Sequence, residues 1–265
     1  MGTQLIEARD VGFWYSGAGA DDPPVLSEFS FVVEQGEFFC LLGPSGCGKT
    51  TALRLAAGFE QPDHGMFALD GREITGPGSE RGVVFQADDS LFNWLTAIDN
   101  VAFGLKLRGM SKADRRAKAR DLMNIVGLAG QEHKYPSQLS GGMRQRIQIA
   151  RVLATNSRVL LMDEPFGALD AQTRSELQDE VARIWQETGK TILFITHDIT
   201  EAILLGDRIG VMRHGPYANV REIIKVDLPR PRKRSSPSFG ELYERVNQLI
   251  VEEVKLSRRA ADAGV

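Results

Sequence analysis

Short continuous apolar runs alternate along the chain with stretches in which apolar residues recur every three or four positions. The runs at residues 38–42, 159–162 and 191–196 are typical of strands that are buried on both faces. The stretch 171–189 between two of these runs has the spacing of an amphipathic helix, and Gly189 is a suitable residue to end it. Strands separated by helical patterns predict an α/β fold with a mostly parallel sheet and helical crossovers.

The beginning of the chain has a different pattern, which predicts antiparallel strands. Apolar residues dominate residues 5–15 and 29–33, and the intervening residues 16–24 are rich in Gly, Ala, Asp and Pro, which predicts a loop. The stretch 88–153 carries helical patterns and no convincing strand, and Ser111 is the predicted N-terminal cap of one of its helices. We therefore expect a helical insert within an α/β core.

These patterns predict one large domain, residues 1–228, followed by a shorter segment, residues 229–265. Within the large domain, a core of about 1–87 and 154–228 surrounds the helical insert of about 88–153. The final segment opens with two prolines and a run of basic residues and ends in a predicted amphipathic helix. A solvated linker is the favoured interpretation of the basic run, and contact with lipid headgroups is the alternative.

The composition narrows the class of protein. Hydrophobic residues make up 42% and charged residues 25% of the 265 residues, which is typical of a globular protein. A net charge of -3 gives no general attraction for nucleic acid, so we expect no nucleic-acid partner. Two cysteines exclude a disulfide scaffold and fit a reducing compartment. Because the chain has neither a long uncharged apolar run nor a secretory signal pattern, we expect a cytoplasmic protein.

The strongest chemical signal is the glycine-rich segment 43–50, which matches the pattern G-x-x-x-x-G-K-[ST]. It follows the strand predicted at 38–42 and precedes a helix predicted at 51–57, as a phosphate-binding loop requires. Backbone N–H groups and the helix N-terminus would surround the phosphates, Lys49 would reach the β- and γ-phosphates, and the Thr50 hydroxyl would bind Mg²⁺. The residues expected to bind the nucleotide here are Gly43, Pro44, Ser45, Gly46, Cys47, Gly48, Lys49, Thr50 and Thr51.

Two carboxylates end the strand predicted at 159–162. The carboxyl ends of parallel strands meet at one edge of a sheet, which is also where a phosphate loop lies. Asp163 is therefore placed to hold Mg²⁺ through water, and Glu164 is placed to orient and deprotonate the attacking water. His197 follows the strand predicted at 191–196 and is expected near the γ-phosphate. A solvated strand end is the alternative for the carboxylates, and a structural role is the alternative for His197.

Residues 139–146, with the sequence LSGGMRQR, resemble the signature of the ATP-binding-cassette (ABC) ATPases, with Met143 where that family most often has glutamine. The resemblance covers about residues 3–225. It implies a P-loop NTPase with a RecA-like core, an N-terminal antiparallel β-subdomain and an inserted α-helical subdomain. The other motifs of the family stand in the expected order at Gln86, at Asp163 and Glu164, at Ala168, Leu169 and Asp170, and at His197.

The resemblance implies ATP and Mg²⁺ as ligands and a second copy of the chain as a partner. Two copies are expected to pack head to tail, so that Ser140, Gly141 and Gly142 of one copy cap the γ-phosphate that Lys49 of the other binds. The residue types agree with this, because a Ser-Gly-Gly helix start is an anion site and one ATP has no use for two such sites in one chain.

Further roles follow from the same resemblance. Gln86 would contact Mg²⁺ and the attacking water, Asp170 would align the opposing active site, and Tyr15 would stack on the adenine. Trp14 is the competing candidate for that stack. A buried aromatic residue of a strand is a further interpretation of Tyr15.

A narrower resemblance is carried by residues 75–78, 81–86, 94–96, 99–105 and 163–170. These segments are similar to the ATPases of bacterial importers of the nitrate/sulfonate/taurine group. The similarity implies the motor subunit of an importer for a small anion or organic solute. Its partners would be separate membrane permease subunits and, indirectly, a solute-binding protein. The chain would then lie peripherally on the inner face of the plasma membrane.

Two points of this interpretation have an alternative. Phe92, Trp94 and Leu95 either line a groove that receives a permease helix or pack inside the insert. The ATPase of an exporter, or an ABC ATPase without a role in transport, is the alternative function.

Overall fold

The structure is a computed structural model that describes residues 3–15, 22–86, 90–155, 157–167 and 169–262. These residues form two compact units: unit 1 comprises Met1–Gly78 with Thr191–Val265, and unit 2 comprises Ser79–Lys190. Residues 16–21 of the predicted loop, the predicted boundary at residues 87 and 88, and Ala168 lie outside the described residues.

The strands and helices follow one another in the order β1 (Gln4–Phe13), β2 (Leu26–Glu34), β3 (Phe38–Leu42), α1 (Lys49–Ala57), β4 (His64–Leu69), β5 (Arg72–Glu73), β6 (Arg81–Val84), α2 (Ala97–Leu107), α3 (Lys112–Ile125), α4 (Gly141–Ala154), β7 (Val159–Asp163), α5 (Ala171–Thr188), β8 (Thr191–Thr196), α6 (Ile199–Leu205), β9 (Arg208–Met212), β10 (Val220–Lys225) and α7 (Pro237–Asp262). The chain is therefore an α/β protein, as the apolar patterns predict.

Unit 1 contains the antiparallel sheet predicted at the start of the chain. β1 pairs with β2 on one side and with β4 on the other, and β5 continues the sheet beyond β4. From Phe29 to Val33 every second residue of β2 is buried, because one face of the sheet packs on the core. The buried face is aromatic: Phe31 stacks on Phe39 with ring centroids 5.3 Å apart and meets Phe67 edge-on.

Unit 1 also contains a parallel set of strands. β3 lies between β8 and β9, and β10 pairs with β9 in the antiparallel direction. Every residue of β3 and β8 is buried, which confirms the prediction from their continuous apolar runs. In the register of these strands Leu42 stands opposite Thr196, so β3 and β8 end side by side.

The basic run after β10 is not a solvated linker throughout, and that prediction is wrong for two of its arginines. Arg232 donates to the carbonyl oxygens of Ile203 (2.7 Å) and Gly206 (2.6 Å) at the end of α6. Arg230 donates to the Leu205 carbonyl and forms an ion pair of 2.9 Å with Asp207. Burial of the guanidinium lowers the pKa of Arg232 to about 10. These arginines therefore hold the chain against α6.

Unit 2 contains the parallel pair β6 and β7 and the helices α2 to α5. Its helix starts follow the sequence prediction: the Ser111 hydroxyl accepts from the Asp114 N–H at 3.2 Å as α3 begins. α5 ends at Gly189, as predicted. Among the described residues, we find no helix with the length and apolar character that crossing a bilayer requires.

Candidate nucleotide-binding residues

The glycine-rich segment forms the turn between β3 and α1 in unit 1. Gly46 and Gly48 have φ angles of 83° and 87°, in the left-handed region that glycine tolerates best. At Gly48 a Cβ atom would also lie only 2.9 Å from the side chain of Leu26. Glycine is therefore required at position 48, both for its left-handed backbone conformation and because a side chain there would collide with Leu26.

Lys49 lies inside this loop. Its side chain is buried, and its Nζ donates to the carbonyl oxygens of Gly43 and Pro44 at 2.9 Å each. The ammonium group is thus held against the loop's own backbone. Gly48 has no side chain to cap the first N–H groups of α1, so an anion can accept hydrogen bonds from this helix start.

Cys47 packs beneath the loop. Its thiol is fully buried, and a Cβ atom at Gly43 would lie 2.7 Å from the Cys47 sulfur. The residue therefore fills space under the loop, and the backbone of Gly43 comes close to it.

Tyr15 stands beside the same loop. Its hydroxyl lies 2.8 Å from the Thr51 hydroxyl in α1, and its ring meets Phe13 edge-on. The side chain is 47% exposed, so Tyr15 is not a buried aromatic residue of a strand. Trp14, the competing candidate, donates its indole N–H to the Asp22 carbonyl at 3.1 Å. The structure thus brings Tyr15, rather than Trp14, into contact with the helix that follows the loop.

His197 follows the last residue of β8, at the edge where β3 ends and the glycine-rich loop begins. Its side chain is exposed. The next residue, Asp198, caps α6 by accepting from the N–H groups of Thr200 and Glu201. His197 therefore sits in a short turn that is anchored on both sides.

In unit 2, β7 ends in the two predicted carboxylates. Asp163 is the last residue of the strand and is buried, with 7% of its surface exposed. Glu164 is half-buried and has a φ angle of 42°. A left-handed conformation is uncommon for a residue other than glycine, and such strain concentrates at functional sites.

Gln86 meets the second of these carboxylates. Its side-chain nitrogen lies 3.4 Å from Oε2 of Glu164, which is a long hydrogen bond. Gln86 is exposed and Glu164 half-buried, so a water molecule can reach both. The structure thus brings together the two residues that were expected to act on the attacking water.

The signature segment starts α4. The Ser140 hydroxyl accepts from the Met143 N–H at 3.3 Å, and Gly141 and Gly142 form the first turn. Asp170 caps α5 in the same way, accepting from the N–H groups of Gln172 and Thr173. Hydrogen bonds from the backbone and side chain of Thr173 lower the pKa of Asp170. Ser140 and Asp170 are both exposed, so each helix start presents its cap to solvent.

Unit 2 also contains a cavity of about 700 Å³ with mainly apolar walls. Phe92 lines it, whereas Trp94 and Leu95 do not; the exposed Trp94 packs its ring 5.3 Å from that of Phe92. Other side chains of the wall belong to Phe85, Phe103, Leu107, Arg108 and Arg151.

Two residues that shape this cavity were not found by sequence reasoning. Asn100 is fully buried and bonds both backbone groups of Phe92 as well as the Leu95 carbonyl. Arg151 donates to the Ser90 carbonyl and lies 5.6 Å above the Phe92 ring, and burial lowers its pKa. Asn100 lies in segment 99–105, which sequence reasoning used only for the family resemblance, and a lone asparagine in the apolar face of α2 was the signal for its buried role.

Comparisons with known proteins agree with the geometry. Residues 26–167 match a family described as ABC transporter. The taurine import ATP-binding protein TauB of Yersinia pestis is 51% identical over 232 residues, which is 88% of this chain and 85% of that protein. The nitrate transport protein NasD of Klebsiella oxytoca is 46% identical over 250 residues, or 93% and 95% of the two chains. The dimeric structure of an ATP-binding cassette bound to ADP and Pi is similar with a TM-score of 0.73 at 29% identity, covering 85% of this chain and all of that one.

Proposed function

Because this chain belongs to the ABC transporter family, we propose that it is the ATP-hydrolysing motor subunit of an importer. The solute would be a small anion or organic molecule of the nitrate, sulfonate or taurine type, since relatives that match most of the chain are named for taurine import and nitrate transport. The observation that carries the proposal is the presence of two glycine-containing helix starts of the kind that can bind an anion, one after the glycine-rich loop of unit 1 and one at the Ser140-capped start of α4 in unit 2.

In the proposed assembly, two copies of the chain enclose each ATP. The loop around Lys49 of one copy would bind the triphosphate, and Ser140, Gly141 and Gly142 of the other copy would cap the γ-phosphate. The exposure of Ser140 supports this, because the cap must meet a ligand that its own chain does not hold. The similar ATP-binding cassette that was solved as a dimer with ADP and Pi also supports it.

The residues described above would have separate roles in binding and hydrolysing ATP. Glu164 would accept the proton of the attacking water, and Gln86, which contacts that carboxylate, would orient the same water. His197 would contact the γ-phosphate, and Asp170 would align the opposing site. Tyr15 would stack on the adenine, a role that its exposed ring beside α1 permits.

A Mg²⁺ ion is the expected companion of ATP, and the residues proposed for it fit its chemistry. Thr50 offers a hydroxyl oxygen, Asp163 a carboxylate and Gln86 an amide oxygen, and Mg²⁺ prefers oxygen ligands. When bound, the ion would neutralise charge on the phosphates. Asp163 would act through water, as its position at the end of β7 suggests.

The partner that receives the energy of hydrolysis would be a membrane permease. A short cytoplasmic helix of such a permease would dock in the apolar cavity of unit 2, which Phe92 and Leu107 line. Docking there would hold the chain on the inner face of the plasma membrane, with a solute-binding protein acting through the permease. Arg151, whose pKa burial lowers, adds a cationic group to the wall of this cavity.

Mixing two inactive variants tests the shared site. Lys49→Ala disables the loop and Ser140→Arg disables the cap, so each variant alone is expected to release no phosphate. In a mixed dimer one site combines an intact loop with an intact cap. An equal mixture should therefore recover roughly a quarter of the wild-type rate if the sites act independently.

The control replaces the Ser140→Arg chain by a chain that carries both substitutions. This mixture has no site with both intact parts and should stay inactive. Phosphate release is measured over a range of protein concentrations, because dimers must form. If the first mixture shows no more activity than the control, the proposed function is overturned.

A further inference from the structure

The starts of α4 and α5 lie in direct contact within unit 2, and the contact leaves no room for a side chain at Gly142. A Cβ atom at Gly142 would lie 2.3 Å from Cγ2 of Thr173 and 3.8 Å from its Cβ. Gly142 is buried against this methyl group. Glycine is therefore required at this position by close packing and not by its backbone angles.

Thr173 has a second contact on its other side. Its backbone N–H donates to Oδ1 of Asp170 at 3.0 Å, and its side chain also hydrogen-bonds that carboxyl group. One side chain thus touches Gly142 with its methyl group and Asp170 with its hydroxyl. These are the second glycine of the signature segment and the cap of α5.

A further interaction joins the same two helices about one turn later. Arg146 of α4 forms an ion pair with Glu176 of α5, with 3.6 Å between Nη2 and Oε2. Arg146 also donates to the carbonyl oxygen of Val126, just beyond α3. The two helices are therefore held together at their starts and again one turn along.

We propose that Thr173 is a positioning residue that sets the phosphate-capping residues 140–142 and Asp170 at a fixed separation, so that both meet the nucleotide site of the partner copy together. This inference rests on the proposed ATP-bound dimer. The caps Ser140 and Asp170 are exposed, whereas Gly142 is buried and Thr173 is half-buried between them. One rigid element would thus carry two groups to the other copy.

The packing makes a quantitative expectation possible. An ordinary contact begins at 3.4 Å, so a methyl group at Gly142 requires either a shift of about 1 Å between the helix starts or a rotation of the Thr173 side chain, which would break its hydrogen bond with Asp170. A misplacement of about 1 Å in a binding group can cost on the order of 100-fold in rate. The Gly142→Ala change should therefore impair the capping of the phosphate.

The experiment measures dimer formation in full-length chains that carry Glu164→Gln, which blocks hydrolysis so that the ATP-bound dimer accumulates. The readout is the ATP concentration that gives half-maximal dimerisation in sedimentation velocity. Gly142→Ala should raise this concentration about tenfold or more, because overpacking at such a contact is costly. Adding Thr173→Ser removes the methyl group that the new side chain meets and should restore dimerisation to within about threefold of the parent.

Thr173→Val is the matched control for the rescue. It keeps a methyl group against residue 142, so it should not restore dimerisation to the Gly142→Ala chain. Binding of a fluorescent ATP analogue to the loop of the monomer should be equal in all these chains. That measurement, together with circular dichroism, separates a loss of positioning from a loss of folding.

The inference is overturned if Gly142→Ala dimerises at the ATP concentration of the parent, or if Thr173→Val rescues it as well as Thr173→Ser does. If the Gly142→Ala chain does not fold, the single substitution Thr173→Ser is measured instead. A rise of about threefold in the ATP concentration for half-maximal dimerisation supports the inference, and an unchanged concentration overturns it. If the Glu164→Gln parent forms no dimer with ATP, the proposed function fails, and the inference fails with it. Because the parent is measured first, the two failures are distinguishable.

Discussion

Among single residues, the proposed chemistry rests on groups whose conformation is unusual or tightly held. Lys49 is buried and anchored by two carbonyl oxygens of its own loop. Glu164 adopts a left-handed backbone conformation directly after the buried Asp163. Strain of this kind persists only where neighbouring structure holds it, so the turn after β7 must hold the Glu164 backbone in this conformation.

Replacing Glu164 by Gln should separate ATP binding from hydrolysis. The amide keeps the size of the side chain but cannot accept the proton of water, so phosphate release should fall by ~10²–10³ or more. ATP binding should remain, and the closed dimer should accumulate. Asp179→Asn, which changes an exposed carboxylate of α5 in the same way, should leave the rate unchanged. Wild-type turnover in the Glu164 variant would remove this residue from its role.

Substitutions at Tyr15 and Trp14 show which of the two residues stacks on the adenine. Tyr15→Ala should weaken ATP binding about tenfold, because stacking of a base on an aromatic ring is worth ~1–3 kcal/mol. Tyr15→Phe keeps the ring and loses only the hydrogen bond with Thr51, so it should bind ATP nearly as well as the wild type. Equilibrium binding measured by fluorescence tests this. A larger loss in Trp14→Ala than in Tyr15→Ala would assign the stack to Trp14 instead.

In several helices, side chains bond the backbone groups that a helix leaves free at its ends. Ser111, Ser140 and Asp170 cap the starts of α3, α4 and α5, because their side chains accept from the first N–H groups. α6 is finished in another way, by the Arg232 guanidinium from a segment that follows β10. The basic run therefore acts as part of unit 1, and its cationic groups replace the donors that the helix end lacks.

Removing this guanidinium should destabilise unit 1. Arg232→Ala leaves the carbonyl oxygens of Ile203 and Gly206 without their charged donor, so the free energy of unfolding should fall by about 2–4 kcal/mol. Chemical denaturation measures the change. Lys233→Ala, one position along and fully in solvent, should be neutral. Equal stability of the two variants would show that Arg232 does not support α6.

At the scale of the whole molecule, each unit supplies a different part of the proposed function. Unit 1 carries the phosphate loop and Tyr15, whereas unit 2 carries the two carboxylates at the end of β7, the signature helix and the apolar cavity. Two polar residues hold Phe92 in the wall of the cavity: the buried Asn100 bonds its backbone, and the half-buried Arg151 lies over its ring. The proposed docking of a permease would use this surface of unit 2.

A charge placed in this cavity should prevent assembly with the permease. Leu107 lines the cavity and is 74% exposed, so Leu107→Glu should fold normally yet reduce co-purification of the permease at least about tenfold. Leu256→Glu is the matched control, because Leu256 is an exposed leucine of α7 in unit 1. ATP binding should be unchanged in both. Equal recovery of the permease with both variants would exclude the cavity as the docking surface.

Features that depend on neighbours within a few positions were predictable from the amino-acid pattern alone. The glycine-rich loop requires left-handed glycines between a strand and a helix, and its pattern is readable at residues 43–50. The buried strands β3 and β8 and the capped start of α3 were predicted for the same local reason. Strands β4, β6 and β9 were not predicted, because their short segments carry no clear period of their own.

Contacts between residues far apart in the chain became visible only in the folded protein. Arg232 meets the end of α6 across 29 positions, Gln86 meets Glu164 across 78, and Thr173 closes on Gly142 through the packing of two helices. The periodicity of the sequence does not predict such long-range contacts, because they depend on which elements pack together and at what distance. Local backbone preferences therefore made the chemical motifs readable, whereas long-range packing set the positions of the groups that support them.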